Sequence, residues 1–311
     1  MDFRERLTNV LRGKPSDTIP FAPYDNLVPR GLFEREMRCR GMGLLKRVDE
    51  IWSACPGLRL ETCAVEDSTQ IIYHTPVGNV STRWKGHVGR IDDHGEVQTE
   101  WLIKEVPDFA PVIYMLEHTR FYADYNGLLD SARDLGGDGL VRGTGPWPSY
   151  DTLEEYFGLF NWAYAQQDFP DQIEQLLQKI EEQEGRRFPL VLESPAEFIS
   201  FGSLSGFYGP KQFERYLLPF YQKYVPTLKN RGKICALHAH NSNLQGFKDL
   251  LRETGVQVIE AYTPPPISDL PMQEARRAWG DDTTIWVNFP ETIFWSGRQN
   301  TYRYTYGSVK F

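Results

Sequence analysis

The sequence predicts an α/β chain: a (β/α)8 TIM-type barrel with an antiparallel hairpin excursion and with its last strand missing or shortened. Three observations predict it. From residue 110 onward, short apolar runs alternate with amphipathic helical stretches, the pattern of a parallel sheet covered on its faces. Polar side chains stand at the C-terminal ends of successive runs, where barrels build their sites. No Gly-x-Gly-x-x-Gly follows any run, which argues against the nucleotide-binding form of a doubly wound sheet.

The elements follow in order. A first helix, roughly 2 to 12, carries Phe3, Leu7, Val10 and Leu11 on one face and ends at Gly13, a natural cap. Pro15 and Pro20 lead into Ile19 to Asp25, expected as a first buried strand, and a helix is expected from about 30 to 50. Between 57 and 105 the pattern becomes period-two: Val65 to Ile72 and Val77 to Trp84 flank a turn at Thr75-Pro-Val-Gly78. Val97 to Ile103 follows a second turn at Asp93-His-Gly95. Helices are then expected early in Val112 to Leu128, over Leu153 to Ala165 and over Pro170 to Glu184. Three more are expected over Pro210 to Asn230, Leu244 to Thr254 and Pro271 to Trp279. Barrel-type strands are expected near residues 19, 58, 139, 188, 234, 256 and 284. After the seventh, Glu291 to Tyr306 reads as a helix, so the eighth strand is expected to be absent or very short, as in a fragment or a shortened variant.

Bulk properties bound the function. The 311 residues suit one large domain, taken as 1–311. A net charge of −8 without a Lys/Arg cluster excludes the usual nucleic-acid footprint. Cys39, Cys55, Cys63 and Cys235 show no CxxC spacing and no dense pattern, so a disulfide framework is not expected. No apolar run approaches the length of a membrane span, and the N-terminus is amphipathic and unlike a signal peptide, which makes the cytoplasm the expected compartment. Aromatic residues make up 14% of the chain, enough for a ring-filled core or a ring-lined pocket.

The sharpest chemical signal is Leu237-His238-Ala239-His240 at the end of a predicted strand. Residues i and i+2 of a strand point to one side, and neighbouring strands lie ~4.8 Å apart. Glu260, ending the next strand, can therefore join His238 and His240. Two imidazoles and a carboxylate suit a zinc ion with one open position. The bland alternative is a pair of hydrogen-bonded packing histidines, or one acting as a general base. Glu193, ending the run at 188, is a candidate ligand or proton donor, or merely a helix cap. Asn288 is a candidate for orienting substrate. Tyr24 with Asn26, Trp147 and Tyr262 are candidates for the wall of a substrate pocket. His74, His87 and His94 are expected in the hairpins facing solvent, and His118 is expected to be structural.

Four segments carry a family resemblance: Asp2 to Phe21, Tyr208-Gly-Pro-Lys-Gln-Phe-Glu-Arg-Tyr-Leu-Leu-Pro-Phe-Tyr221, Leu237-His-Ala-His240, and Ile259-Glu-Ala-Tyr-Thr-Pro-Pro-Pro266. Together they resemble the uroporphyrinogen decarboxylase superfamily, most closely its corrinoid-linked methyltransferase branch. That branch includes methylcobamide:coenzyme M methyltransferases and aryl-ether O-demethylase proteins. The resemblance runs from the first helix to about Pro290. It implies zinc bound through a His-x-Cys pair on one strand; cobalamin-independent methionine synthase adds a Glu from the next. This chain keeps His238 and Glu260, has His240 in place of the Cys, and lacks the later Cys of the final strand. A site richer in nitrogen and oxygen is a harder acid, better matched to an ether oxygen than to a thiolate. The resemblance thus implies demethylation of a methoxylated compound, aromatic ones included, with the methyl group passing to a corrinoid (cobalamin) on a partner protein, and a homodimer as the common assembly. The true decarboxylases are the competing reading. They use no metal and hold porphyrinogen carboxylates with arginines, but Asp25 and Arg30 are not in their context. A non-catalytic or incomplete barrel acting as a binding protein is the third.

Overall fold

The structure is a computed structural model and describes residues 1–86, 96–204, 208–240, 243–290, 293 and 295–308. In chain order its elements are α1 (Phe3–Leu11), α2 (Leu32–Cys39), β1 (Leu44–Arg47), β2 (Ile51–Ala54), β3 (Arg59–Val65), β4 (Ser68–Thr75), β5 (Gly78–Gly86) and β6 (Glu96–Glu100). Next come α3 (Phe109–His118), β7 (Arg120–Ala123), α4 (Asn126–Leu135), β8 (Gly139–Thr144), α5 (Ser149–Phe157), α6 (Leu159–Asp168), α7 (Pro170–Glu193) and β9 (Phe198–Ser203). The chain continues through α8 (Pro210–Gln212), a π-helical turn (Phe213–Leu217), α9 (Leu218–Asn230), β10 (Ile234–His238), α10 (Lys248–Glu253), β11 (Val258–Tyr262), α11 (Met272–Trp279), β12 (Thr284–Val287) and a last helix (Arg298–Ser308). Packing divides it into two compact units. One comprises Met1–Ile51, Ala123–Pro146 and Leu190–Phe311; the other comprises Trp52–Tyr122 and Trp147–Pro189.

The first unit is an α/β layer built on a six-stranded sheet in the order β1-β8-β9-β10-β11-β12, parallel at every step. Side-chain alternation gives its inner face two tiers. The lower tier is apolar: Leu45, Leu140, Phe198, Ile234, Ala236 and Val258 form one buried cluster with Phe3, Leu7 and Leu11 of α1. A capping box starts that helix, with the Glu5 amide donating to Asp2 Oδ1 at 2.8 Å and the Asp2 amide to Glu5 Oε2 at 3.0 Å. The sheet is curled around α1. Laid flat, six strands at ~4.8 Å spacing would span about 24 Å, whereas a helix with its side chains is about 10 Å across. Yet α1 packs on Leu45 of β1, and its Val10 carbonyl accepts from Thr284 Oγ1 of β12 at 2.7 Å. Two glycines allow the close packing. A Cβ on Gly43 would lie 1.9 Å from the Phe3 ring, and one on Gly139 would lie 2.1 Å from the Leu44 carbonyl oxygen.

Several expectations change. Ile19 to Asp25 is not a full strand; it makes two isolated parallel bridges, Phe21 to Met42 just before β1 and Tyr24 to Leu45 within it. The helix expected from 30 to 50 ends at Cys39, and β1 follows. The run at 188 is the end of α7, not a strand, so Glu193 ends a helix and is exposed. The strand near 58 is β3, which belongs to an antiparallel sheet. The sheet position expected at 188 is filled by β9, ten residues later.

The second unit holds the hairpin region. Strands β3 to β6 form a four-stranded antiparallel sheet in sequence order. The turn expected at Thr75 to Gly78 is present, with Thr75 Oγ1 donating to the Gly78 carbonyl at 2.6 Å; the turn at 93–95, with His87 and His94, lies outside the described residues. His74 pairs with Glu61 at 2.9 Å, and His118 is exposed and stacks on Tyr114. Phe109, Phe157, Trp162 and Tyr150 supply an aromatic core. Among the described residues no helix is long and apolar enough to cross a membrane.

Candidate functional site

The upper tier of the inner face in the first unit is polar. Two residues beyond the apolar tier, the same alternation presents Arg47, Arg142, Ser200, His238 and Glu260 from five successive strands. His238 and Glu260 are direct register partners, as are Arg47 and Arg142. Tyr24 is placed beside them because its own backbone bridges to Leu45.

Glu260 is the centre of the cluster, with 2% of its surface exposed. Tyr24 donates its hydroxyl to Oε1 at 2.6 Å, and Ser200 donates to Oε2 at 3.0 Å. The Arg142 guanidinium stands 3.9 Å from Oε1, and His238 Nδ1 stands 3.8 Å from Oε2, ion-pair rather than hydrogen-bond distances. Tyr24 also lies 3.4 Å from His238 Nδ1 and accepts from Arg142 at 3.5 Å. Burial alone would raise the Glu260 pKa, but His238, Arg142 and the Tyr24 hydroxyl outweigh it and hold the carboxyl at about 2. Burial and the neighbouring Glu260 charge act the other way on Tyr24, pushing its phenol well above the ordinary value and keeping it protonated. The cluster is therefore a fixed anion with a neutral phenol as its donor. Directly after Glu260, Ala261 adopts φ 57°, a left-handed conformation that L-residues avoid and that functional sites often retain.

His240 is exposed, and its ring centre is 6.4 Å from that of His238. Two imidazoles sharing a tetrahedral zinc at ~2 Å bring their ring centres to about 5 Å. No group of three or more His, Cys, Asp or Glu is gathered for a metal among the described residues. The donor chemistry still suits zinc: Glu260 is already deprotonated, as a ligand must be, and His238 is its neighbour. His240 faces solvent and does not join them.

A methyltransferase from Methanosarcina mazei shares the fold. Its structure matches with a TM-score of 0.51 and 12% sequence identity, over 94% of this chain and 85% of that one. Likeness at that identity speaks for the scaffold. No protein-family model matches the sequence, and no curated protein does.

The remaining candidates are dispersed. Tyr262 is fully buried, stacks edge-on against Trp279 and donates to the Leu270 carbonyl at 2.5 Å; the turn at Ala261 takes it out of the strand alternation, and it packs where a pocket wall was expected. Asn288 donates to Thr263 Oγ1 at 3.2 Å and its amide to the Tyr262 carbonyl at 2.7 Å, which ties the end of β12 to the loop after β11. Asn26 is exposed in a short 3-10 turn. Trp147 belongs to the second unit, where its amide donates to Glu184 at 3.1 Å. Arg47, Arg142 and Ser200 were missed. Arg142 could have been found as the one charge inside the apolar run Gly139-Leu-Val-Arg-Gly-Thr144.

Proposed function

We propose that this chain is a zinc-dependent methyltransferase of the uroporphyrinogen decarboxylase superfamily, on a (β/α)8-type scaffold. It would move a methyl group from a methoxylated compound to a corrinoid on a partner protein in the cytoplasm. The observation that carries the reading is the convergence of Tyr24, Arg142, Ser200 and His238 on the Glu260 carboxylate, at the C-terminal ends of the strands. The fold shared with a methyltransferase agrees with it. His238, His240 and Glu260 would hold the zinc, which supplies Lewis-acid polarisation of the ether oxygen.

The chain's own residues have defined tasks. Nδ1 is the nitrogen of His238 that faces the Glu260 carboxylate, so an ion shared by the two would need Nδ1 unprotonated, with the imidazole proton on Nε2. Tyr24 and Ser200 fix the carboxylate in place by donating to different oxygens. The positive charge of Arg142, half-buried beside them, favours negative charge developing on the departing oxygen. Elemental analysis is the first test. One equivalent of zinc per chain is expected, lost in a His238→Ala/His240→Ala double variant, together with methyl transfer from a methoxy donor to a reduced corrinoid. A folded wild-type protein without zinc and without transfer would abandon this reading for a non-catalytic binding role.

A further inference from the structure

Helix α2 is built inside out. The residue that it buries is Glu34, answered by Arg30 at 3.5 Å and Arg38 at 3.2 Å. Its apolar side chains face solvent instead: Leu32 is 67% exposed and Phe33 54%. A surface helix normally turns its apolar stripe toward the core and its charges outward. The segment leading into α2 adds Ile19, Phe21 and Leu27, exposed by 78%, 61% and 67%. At roughly 150–200 Å² for a large apolar side chain, these residues leave on the order of 600 Å² of apolar surface in water, as much as the largest patches that monomers carry.

The exposed side of α2 is complementary to a copy of itself. At about 100° per residue, Leu32 and Cys39 mark its middle, with Arg35 on one flank and Glu36 on the other. Among the described residues Arg35 has no carboxylate within ion-pair distance, and Glu36 no cation. Phe33 projects beyond Glu36. On the Arg35 flank lies a hollow of ≈ 440 Å³ lined by Gly31, Glu34, Arg35, Arg38, Cys39 and Asp138. A two-fold axis parallel to the helix brings unlike flanks together, so each Arg35 meets a Glu36 and each Phe33 comes beside a hollow. An antiparallel pair would set Arg35 on Arg35, which costs energy.

We propose that this face is the contact of a homodimer, with α2 of two copies packed side by side and parallel about a two-fold axis. The inference does not rest on the chemistry proposed above. Covering the exposed apolar residues of both copies would bury about 1,200 Å², the low end for a specific interface, so the dimer forms and dissociates with concentration. An anionic lipid surface is the other match for an apolar face with arginines, and Glu36 beside the middle of the face opposes it.

The test is sedimentation equilibrium of the full chain between about 1 and 200 µM, where wild type is expected to pass from monomer to dimer. Phe33→Ser should weaken association at least about tenfold. Arg35→Glu and Glu36→Arg should each weaken it about threefold or more, and mixing the two variants, or combining both changes in one chain, should restore it because opposite charges face each other again. A short bismaleimide should join two copies through Cys39, and Cys39→Ser should abolish the covalent dimer. A monomer at every concentration, a dimer that none of these substitutions weakens, no recovery in the charge swap, or no link through Cys39 would each overturn the proposal. A monomer captured by phosphatidylglycerol vesicles, with capture lost in Phe33→Ser, would overturn it in favour of a membrane surface. Should Phe33→Ser fail to fold, the charge swaps decide.

Discussion

At the scale of single residues, the site is an anion held below its ordinary pKa. Glu260 has a folded pKa of about 2, depressed from 4.5. A depressed carboxyl contributes stability above its unfolded pKa and loses it as pH falls through the folded one, here between about pH 4.5 and 2. At neutral pH the contribution is on the order of 3 kcal/mol. In the metal-free protein, Glu260→Gln should therefore lower stability at pH 7 by about that amount, and the gap to wild type should close as pH approaches 2. Denaturant titrations at several pH values measure it, and a constant gap would contradict the pairing. Tyr24→Phe removes the 2.6 Å donor and should cost about 2 kcal/mol, with zinc content retained because no proposed ligand changes. His238 and Glu260 were legible in the sequence because strand alternation and register are simple geometry. Arg47 and Ser200 were not, because β1 was read as helix and β9 was not foreseen.

At the scale of elements, glycine and α1 govern how tightly the sheet closes. Gly139→Ala would drive a methyl group against the Leu44 carbonyl, a backbone atom that cannot turn aside, so the β1–β8 pairing must part. The expected loss is about 3 kcal/mol, at the upper end for overpacking, with the Arg47–Arg142 register disturbed as well. Leu11→Ala empties a position with 1% exposure in the lower tier and should cost about 2–5 kcal/mol without altering the chemistry above it. Thermal unfolding of both variants, beside zinc content, separates these effects: Leu11→Ala should keep its metal. Helices with clear amphipathic faces, such as α1 and α11, were legible. Phe188-Pro-Leu-Val-Leu-Glu193 was not, since a short apolar run reads equally as buried strand or buried helix. There α7 continues through Pro189, and the residue four positions earlier, where a proline ring crowds the helix, is Gly185.

At the scale of the whole molecule, the sheet ends at β12 among the described residues, with β11 as its single neighbour. The amides of Thr284 and Asn288 donate to Gln257 and Tyr262 across that pairing. Alternation along a strand then turns the amides of Ile285 and Val287 toward the open side. Unpaired strand edges exchange quickly, whereas β10 and β11 are buried between neighbours on both sides. Amide hydrogen exchange should therefore show Ile285 and Val287 exchanging orders of magnitude faster than Leu237 and Ile259. Protection of all four to the same degree would mean that a further strand or a second copy of the chain covers the edge. Repeating the measurement over a range of protein concentrations distinguishes those two covers, because only the intermolecular one weakens on dilution.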